Sequence, residues 1–317
     1  MKDVRVLYGK PITELIYKRI RSVMEMSGDS HINRSTLTRK PMLSIFQVGD
    51  RKDSSNFIKA KENACKRLGF SFRLTHLPAD TNLTVVSGML QQESNNNLVD
   101  GIVLQLPLPD HLKEASNELI DQIPVLKDID CLSSKNSINS FFEKEKKRNL
   151  PCVAMAVHLM LSYYDIPVKD KTIVIVGKGP LVGIPTAHLL SEKGARVELL
   201  DIRDKRVFNV IQLADIVISG YGTGEQLKGD CFKEGSVIID VGVRVEMNEK
   251  GVKFVFGDVD TRSSLSHISS ITPVPKGIGP VTVACLMQNL YNSYLTLHGS
   301  PIQKEAWINL LNNEKYI

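Results

Sequence analysis

Residues 171–194 read KTIVIVGKGPLVGIPTAHLLSEKG. Residues 172–176 form an unbroken β-branched, mostly apolar run, the pattern of a strand buried on both faces, and Gly177 stops it. After Lys178-Gly179-Pro180 an apolar pattern at helical spacing begins with Leu181, Ile184, Ala187, Leu189 and Leu190. Pro180 then falls in the first helical turn, where no N–H partner is needed. The unit is strand, glycine loop, helix. It aims the free N–H groups and positive dipole end of the helix at whatever lies over the loop, which suits a pyrophosphate. The glycines follow G-x-G-x-x-x-G at Gly177, Gly179 and Gly183, one residue longer than the usual dinucleotide fingerprint. Any tight strand-to-helix turn uses glycine, so the spacing alone decides little. A second strand over 196–200 ends in Asp201, where an acid that binds a ribose hydroxyl would lie, and this favours a dinucleotide.

On both sides of this unit helices and strands alternate. The pattern predicts a helix over 10–26, a polar loop over 27–40, a strand over 42–48, a helix over 54–68 stopped by Gly69, and a strand over 70–77. A helix over 84–92, a strand over 101–106 and a helix over 111–123 follow. Residues 133–149, rich in Ser, Asn, Lys and Glu, read as an excursion before a helix over 153–164. Beyond Asp201 come a helix over 207–214, strands over 215–220 and 236–242, and a hairpin around 250–255. An extended stretch over 271–274 and an apolar helix over 281–297 complete the pattern. Such alternation predicts an α/β fold of mostly parallel sheets with helices on their faces.

A chain of 317 residues has room for two domains with substantial cores. Its 42% hydrophobic and 24% charged residues are ordinary for a soluble globular protein. The net charge of +5 comes from lysines and arginines spread along the chain, which argues against a nucleic-acid partner. Cys65, Cys131, Cys152, Cys231 and Cys285 are widely separated, with no C-x-x-C pair and no histidine cluster at ligand spacing. They read as reduced thiols, and no metal is expected. The N-terminus lacks an apolar signal core and no stretch reaches membrane-spanning length, so the expected location is the cytoplasm, away from membranes.

Chemistry-bearing candidates lie mostly before the glycine loop. Lys61 falls on the 54–68 helix with Phe57 one turn before it on the same face. A lysine facing a ligand can handle protons, although a solvated surface lysine is the commoner case. Gln105 at the end of a buried strand could orient such a lysine or cap the strand, and the LPLP that follows closes the carboxyl end where α/β sheets bind ligands. In KDID, Asp130 could accept N–H groups from a heterocycle or make a local turn. PVPKGIG, residues 273–279, allows close backbone approach to a ligand, or serves as a rigid connector.

Taken in order, SSNFIKAKENACKRLGF, DGIVLQLPLP, KDID, LPC before a helix, IVIVGKGPLVGIP, ADIVISGYG, EGSVIIDVGV, GDVD and ITPVPKGIGPVTVACLMQN resemble the bifunctional methylenetetrahydrofolate dehydrogenase/methenyltetrahydrofolate cyclohydrolase family. The resemblance runs from about residue 5 to 297. It implies a catalytic folate-binding α/β domain over 1–149 with 281–317, a Rossmann-type NAD(P)-binding domain over 150–280, and tetrahydrofolate in a cleft between them. It implies hydride transfer from methylene-tetrahydrofolate to a nicotinamide, hydrolysis of the methenyl product, and a homodimer formed through the cofactor domains. Lys61 matches the family's catalytic lysine, Gln105 its orienting partner and Asp130 its pterin-binding acid. Ser54, Phe57, Leu106, Pro107, Pro275, Gly277 and Gly279 match substrate-side positions, and Gly177, Lys178, Gly179, Gly183, Asp201, Arg203, Gly222 and Val241 match cofactor-side ones.

The chain also departs from that pattern. Phe57 stands where the family has tyrosine, so its ring can stack on the folate but its hydroxyl is gone, which weakens the expected hydrolysis more than the oxidation. P-C-T-P-x-G becomes PCVAMA, Lys276 replaces a glycine in PVPKG, and Cys131 follows Asp130 where glycine is usual. Lys178 and Gly179 replace Arg and Ser, so Asp201 favours NAD over NADP, although Lys178 and Arg203 could neutralise a 2'-phosphate. These changes leave two other readings open: a non-catalytic paralogue that binds folate or nucleotide, and a two-domain dehydrogenase of another substrate.

Overall fold

The computed structural model describes residues 4–29, 39–136, 149–222, 224–247 and 253–298. They fall into two compact units, one holding the chain up to Glu14 together with Val153–Thr282, the other Leu15–Cys152 together with the chain from Val283. Strand β1 (Arg5–Val6) precedes helix α1 (Lys10–Asp29), which the polar composition after residue 26 did not predict to run so far.

The unit that carries Lys61 is built on a three-stranded parallel sheet, order β3-β2-β4, of β2 (Met42–Val48), β3 (Ser71–Leu77) and β4 (Gly101–Leu104). The interior of β2 is buried and mostly apolar, with Ser44 and Gln47 the polar exceptions, as suits a central parallel strand covered on both faces. Helix α2 (Lys52–Leu68) ends at Gly69, whose φ of 72° lets the chain turn so that the N–H of Phe70 reaches the carbonyl of Cys65 at 2.9 Å. Helix α3 (Leu83–Ser94) starts where the Asn82 side chain accepts the N–H of Val85. The single helix predicted over 111–123 is two short ones, α4 (Asp110–Lys113) and α5 (Ser116–Asp121). The Ser116 hydroxyl donates to the Lys113 carbonyl at 2.7 Å and competes with continuation of the helix. Phe46, Leu90, Ile102, Leu112 and Leu119 are central to the core between these elements. Helix α6 (Cys152–Tyr163) follows, and most of residues 133–149, predicted as an excursion, lie outside the described residues.

The other unit is a six-stranded, wholly parallel sheet in the order β1-β11-β8-β7-β5-β6. Its strands are β5 (Thr172–Val176), β6 (Arg196–Leu200), β7 (Ile216–Ser219), β8 (Val237–Asp240) and β11 (Ser270–Ile271), with β1 at the edge. The chain leaves β5 for β6 on one side and returns to β7 on the other, which makes the carboxyl ends of β5 and β7 a topological switch point. Helices α7 (Gly183–Glu192) and α8 (Val207–Ile211) cover it, β9 (Arg244–Met247) and β10 (Lys253–Phe256) form a separate antiparallel pair, and α9 (Ile278–Leu297) closes the described chain.

Two expectations change here. Residues 4–14, expected with the Lys61 domain, belong with the six-stranded unit, because Arg5–Val6 pair in register with Ser270–Ile271. A two-residue strand carries too little periodicity to be read from sequence. Helix α7 begins at Gly183, so Pro180 lies in the turn before it, and Leu181 and Ile184 are exposed while Gly183, Pro185, Thr186, Leu189 and Leu190 face the sheet.

Candidate functional site

Lys61 projects from the middle of α2 and is only 8% exposed, so it is not the solvated lysine that sequence alone would favour. Its Nζ donates to Gln105 Oε1 at 3.1 Å and stands 3.8 Å from Asp130 Oδ2. Gln105 continues the ladder beyond β4, its N–H reaching the Phe46 carbonyl at 2.8 Å, and its Nε2 donates to the carbonyl of Leu106 at 2.9 Å. That second bond fixes the amide so that its oxygen faces the lysine. A buried cation with one neutral acceptor and one looser carboxylate keeps donor capacity for a ligand.

Asp130 is placed by its neighbours. Residue 128 forms a parallel bridge with Ile102, and the buried Asp128 carboxylate accepts the N–H groups of Leu132 and Ser133 and the Asn136 amide at 3.2, 2.9 and 2.9 Å. From α9, Asn289 Nδ2 donates to the carbonyls of Ile129 and Leu150, both at 2.8 Å. Cys131 follows with φ 59°, a left-handed conformation that costs a non-glycine residue about 1–2 kcal/mol and that suits the glycine expected there. Burial pushes the Cys131 and Cys152 thiols well up from the usual range, so neither serves as a thiolate nucleophile beside Asp130. Phe57, 38% exposed, and buried Ser54 lie on the same helix as Lys61, and Leu106 and exposed Pro107 follow Gln105 directly.

In the six-stranded unit, Gly177 ends β5 with φ 113°, and a side chain there would meet the Gly220 carbonyl. A Cβ on Gly183 would lie 1.7 Å from the Gly177 carbonyl oxygen, so this glycine lets helix and strand approach. Gly179 and Gly222 differ: a Cβ on either would meet nothing within 4 Å. The first and last glycines of the motif serve the fold, and the open ones leave backbone free for a ligand to approach. A dinucleotide phosphate fits this cradle. Lys178 is exposed beside it, and Val241, whose N–H reaches the Ser219 carbonyl at 2.7 Å, lies just past β8. Asp201 directly follows β6, and Arg203 donates to its Oδ1 from its backbone N and Nε at 3.0 and 2.8 Å and to its Oδ2 from Nη2 at 3.1 Å. Those bonds hold its carboxyl down at about 2. One acceptor position on Oδ2 remains for a ribose hydroxyl.

Pro275, Lys276 and Gly279 are exposed in the stretch that opens α9, whereas Gly277 is buried against Pro273. Lys276 has φ 89° and its carbonyl accepts the Gly9 N–H at 2.8 Å. Sequence reasoning missed Asp128, Asn289, Asp240 and Asp258, all buried and all bonded to backbone near these sites. An acid inside an apolar run, as in IIDVGV, is the signal that was available. Among the described residues no cluster of histidine, cysteine or acid could hold a metal ion, and no helix is long and apolar enough to cross a membrane.

Residues 7–130 match the catalytic domain of tetrahydrofolate dehydrogenase/cyclohydrolase, and residues 151–298 match its NAD(P)-binding domain. The bifunctional protein FolD of Hydrogenobaculum is 36% identical over 291 residues, covering 92% of this chain and 99% of the relative. That of Mycoplasmopsis synoviae is 34% identical over 293 residues, covering 92% and 100%. The crystal structure of Trypanosoma brucei N5,N10-methylenetetrahydrofolate dehydrogenase-cyclohydrolase, complexed with NADP and an inhibitor, aligns with a TM-score of 0.83 at 28% identity, covering 93% of this chain and 99% of that one.

Proposed function

Because the chain belongs to the tetrahydrofolate dehydrogenase/cyclohydrolase family, we propose that it oxidises 5,10-methylenetetrahydrofolate with NAD(P) and hydrolyses the methenyl product, in one-carbon folate metabolism. The observation that carries this reading is the buried Lys61 held by Gln105 beside Asp130.

Oxidation removes a hydride from the methylene carbon and leaves a methenyl cation; bound NAD(P) supplies the hydride acceptor. The protein's part in this step is to hold donor and acceptor in register. Hydrolysis adds water to the cationic carbon and breaks its bond to N5, giving the 10-formyl product. One proton of the water ends on N5 and the other reaches solvent. Lys61 handles those protons, Gln105 keeps its Nζ aimed at the reacting carbon, and Asp130 accepts N–H groups of the pterin. Phe57 supplies a stacking ring and no hydroxyl, so hydrolysis is the slower step and methenyl-tetrahydrofolate builds up. The substrate also meets Ser54, Leu106 and Pro107.

Gly177, Lys178, Gly179 and Gly183, with Gly222 and Val241, would hold the dinucleotide, and Asp201 would meet its adenosine ribose. The Asp201 charge repels a 2'-phosphate, and Arg203 is already committed to Asp201, so NAD is preferred over NADP. A cytoplasmic homodimer completes the reading, by analogy with the family.

Purified protein given methylene-tetrahydrofolate with NAD or NADP in parallel tests it. Reduced nicotinamide should form faster with NAD, with methenyl product accumulating ahead of its decay. No reduced nicotinamide with either cofactor, in protein that binds folate, would overturn the assignment.

A further inference from the structure

Two buried carboxylates stand behind the loop that follows β7. Residues 219–224 read SGYGTG, three glycines in six, a composition with high conformational freedom. Yet the loop touches the β5–α7 turn: a Cβ on Gly220 would lie 2.5 Å from Val182, and one on Gly177 would lie 2.8 Å from the Gly220 carbonyl oxygen. A loop free to wander would leave that turn without a wall.

Asp258 fixes it. Its carboxylate, 0% exposed, accepts the Ser219 hydroxyl at 2.8 Å and the N–H groups of Tyr221 at 3.1 Å, Gly222 at 3.0 Å and Gly224 at 3.4 Å. No ion pair among the described residues involves it, so these dipoles balance its charge. Asp240 holds Asp258 in turn, accepting the N–H groups of Asp258, Val259 and Gly242 at 3.0, 2.9 and 3.0 Å. Two glycines make room for the pair. A Cβ on Gly242 would fall 2.2 Å from the Asp258 carboxyl carbon, and one on Gly257 would fall 2.0 Å from Asp240 Oδ2.

We propose that Asp258 is a positioning residue for dinucleotide binding: by collecting the N–H groups of Tyr221, Gly222 and Gly224 it presets the loop that walls the β5–α7 turn. Affinity for the cofactor, and not the chemistry at Lys61, then depends on its charge. The inference rests on the reading that the dinucleotide lies over that turn.

The test uses full-length Asp258→Asn, Ser219→Ala and Gly179→Leu beside the wild type. It measures Kd for the reduced dinucleotide by its fluorescence, KM for each substrate, kcat, and the melting curve. Asp258→Asn keeps the size and loses the charge, and should raise the dinucleotide Kd and KM about tenfold or more. The folate KM, and kcat at saturating dinucleotide, should stay within about threefold. Ser219→Ala removes one partner and should raise the dinucleotide Kd about two- to fivefold. A folded Asp258→Asn with wild-type Kd overturns the proposal, as does a parallel loss in folate KM and kcat, which would mark a general structural role. If Asp258→Asn does not fold, an unchanged Kd in Ser219→Ala overturns it. Gly179→Leu separates the two ideas. If it leaves the dinucleotide Kd unchanged, the placement of the cofactor has failed and the proposal falls with it. If it weakens binding while Asp258→Asn does not, the role of Asp258 alone has failed.

Discussion

The Lys61 cluster and the glycine turn after β5 are made by opposite means. Lys61, Gln105 and Asp130 come from a helix, a strand end and a loop, and what matters is where three side chains meet. The turn at Gly177 to Gly183 depends on side chains that are absent, because the Gly183 position leaves no room for one and the Gly179 position leaves space for a ligand. The first region is tuned by chemistry and the second by clearance. Substitutions should therefore separate the two activities: crowding the turn removes oxidation, and altering the cluster removes hydrolysis.

The largest separation comes from Gly179→Leu. A Cβ there meets no protein atom within 4 Å, so the melting temperature should stay within about 2 °C. It fills the space over the turn, and kcat/KM for the dinucleotide should fall on the order of 100-fold. Hydrolysis of added methenyl-tetrahydrofolate should be unchanged. Equal loss of both activities would show that the regions are not separable in this way.

A second difference lies in pH. Burial, reinforced by the Asp258 charge, raises the Asp240 carboxyl to about 7 against the N–H groups it accepts. Between its unfolded value near 4 and 7 the folded state holds the proton more tightly. Stability from this group is therefore full in acid and falls as pH rises through that window, by at most about 1.4 kcal/mol per pH unit. Urea melts of the wild type from pH 5 to 8 should show the decline, and Asp240→Asn should flatten it. A wild-type stability that rises across the window would contradict the burial argument.

The smallest expected effect sharpens the Lys61 side. Phe57→Tyr restores a hydroxyl one turn from Lys61, and one new hydrogen bond is worth about a tenfold gain in hydrolysis or less. The rate of reduced nicotinamide formation should move less than twofold in the same assay. An unchanged hydrolysis rate would mean that the missing hydroxyl does not limit it.

The two regions were also unequally legible. β5, β6 and the glycine turn are local in sequence, so the period of the apolar residues and the glycine spacing located them within a residue or two. The start of α7 was misplaced because Leu181 and Ile184 look like core residues and are exposed. The Lys61 cluster joins positions up to about 70 residues apart, which no local pattern relates, and only a family resemblance selected Lys61 from the lysines of the chain. Asn289 and Asp258 were invisible for the same reason, since each bonds backbone elsewhere in the fold. Cys131 and Lys276 teach a related point. Both stand where the family pattern has glycine, and both keep the left-handed backbone that a glycine would take. The backbone at these positions is held by the fold more firmly than the residue type is.

On the proposed reading Lys61 serves hydrolysis while the glycine turn serves the cofactor. The most direct test is Lys61→Met in a single-turnover mix with methylene-tetrahydrofolate and the preferred dinucleotide. The dinucleotide Kd should stay within about twofold. Methenyl-tetrahydrofolate, once formed or added, should decay at least about 100-fold more slowly. Decay at the wild-type rate would contradict the role given to Lys61.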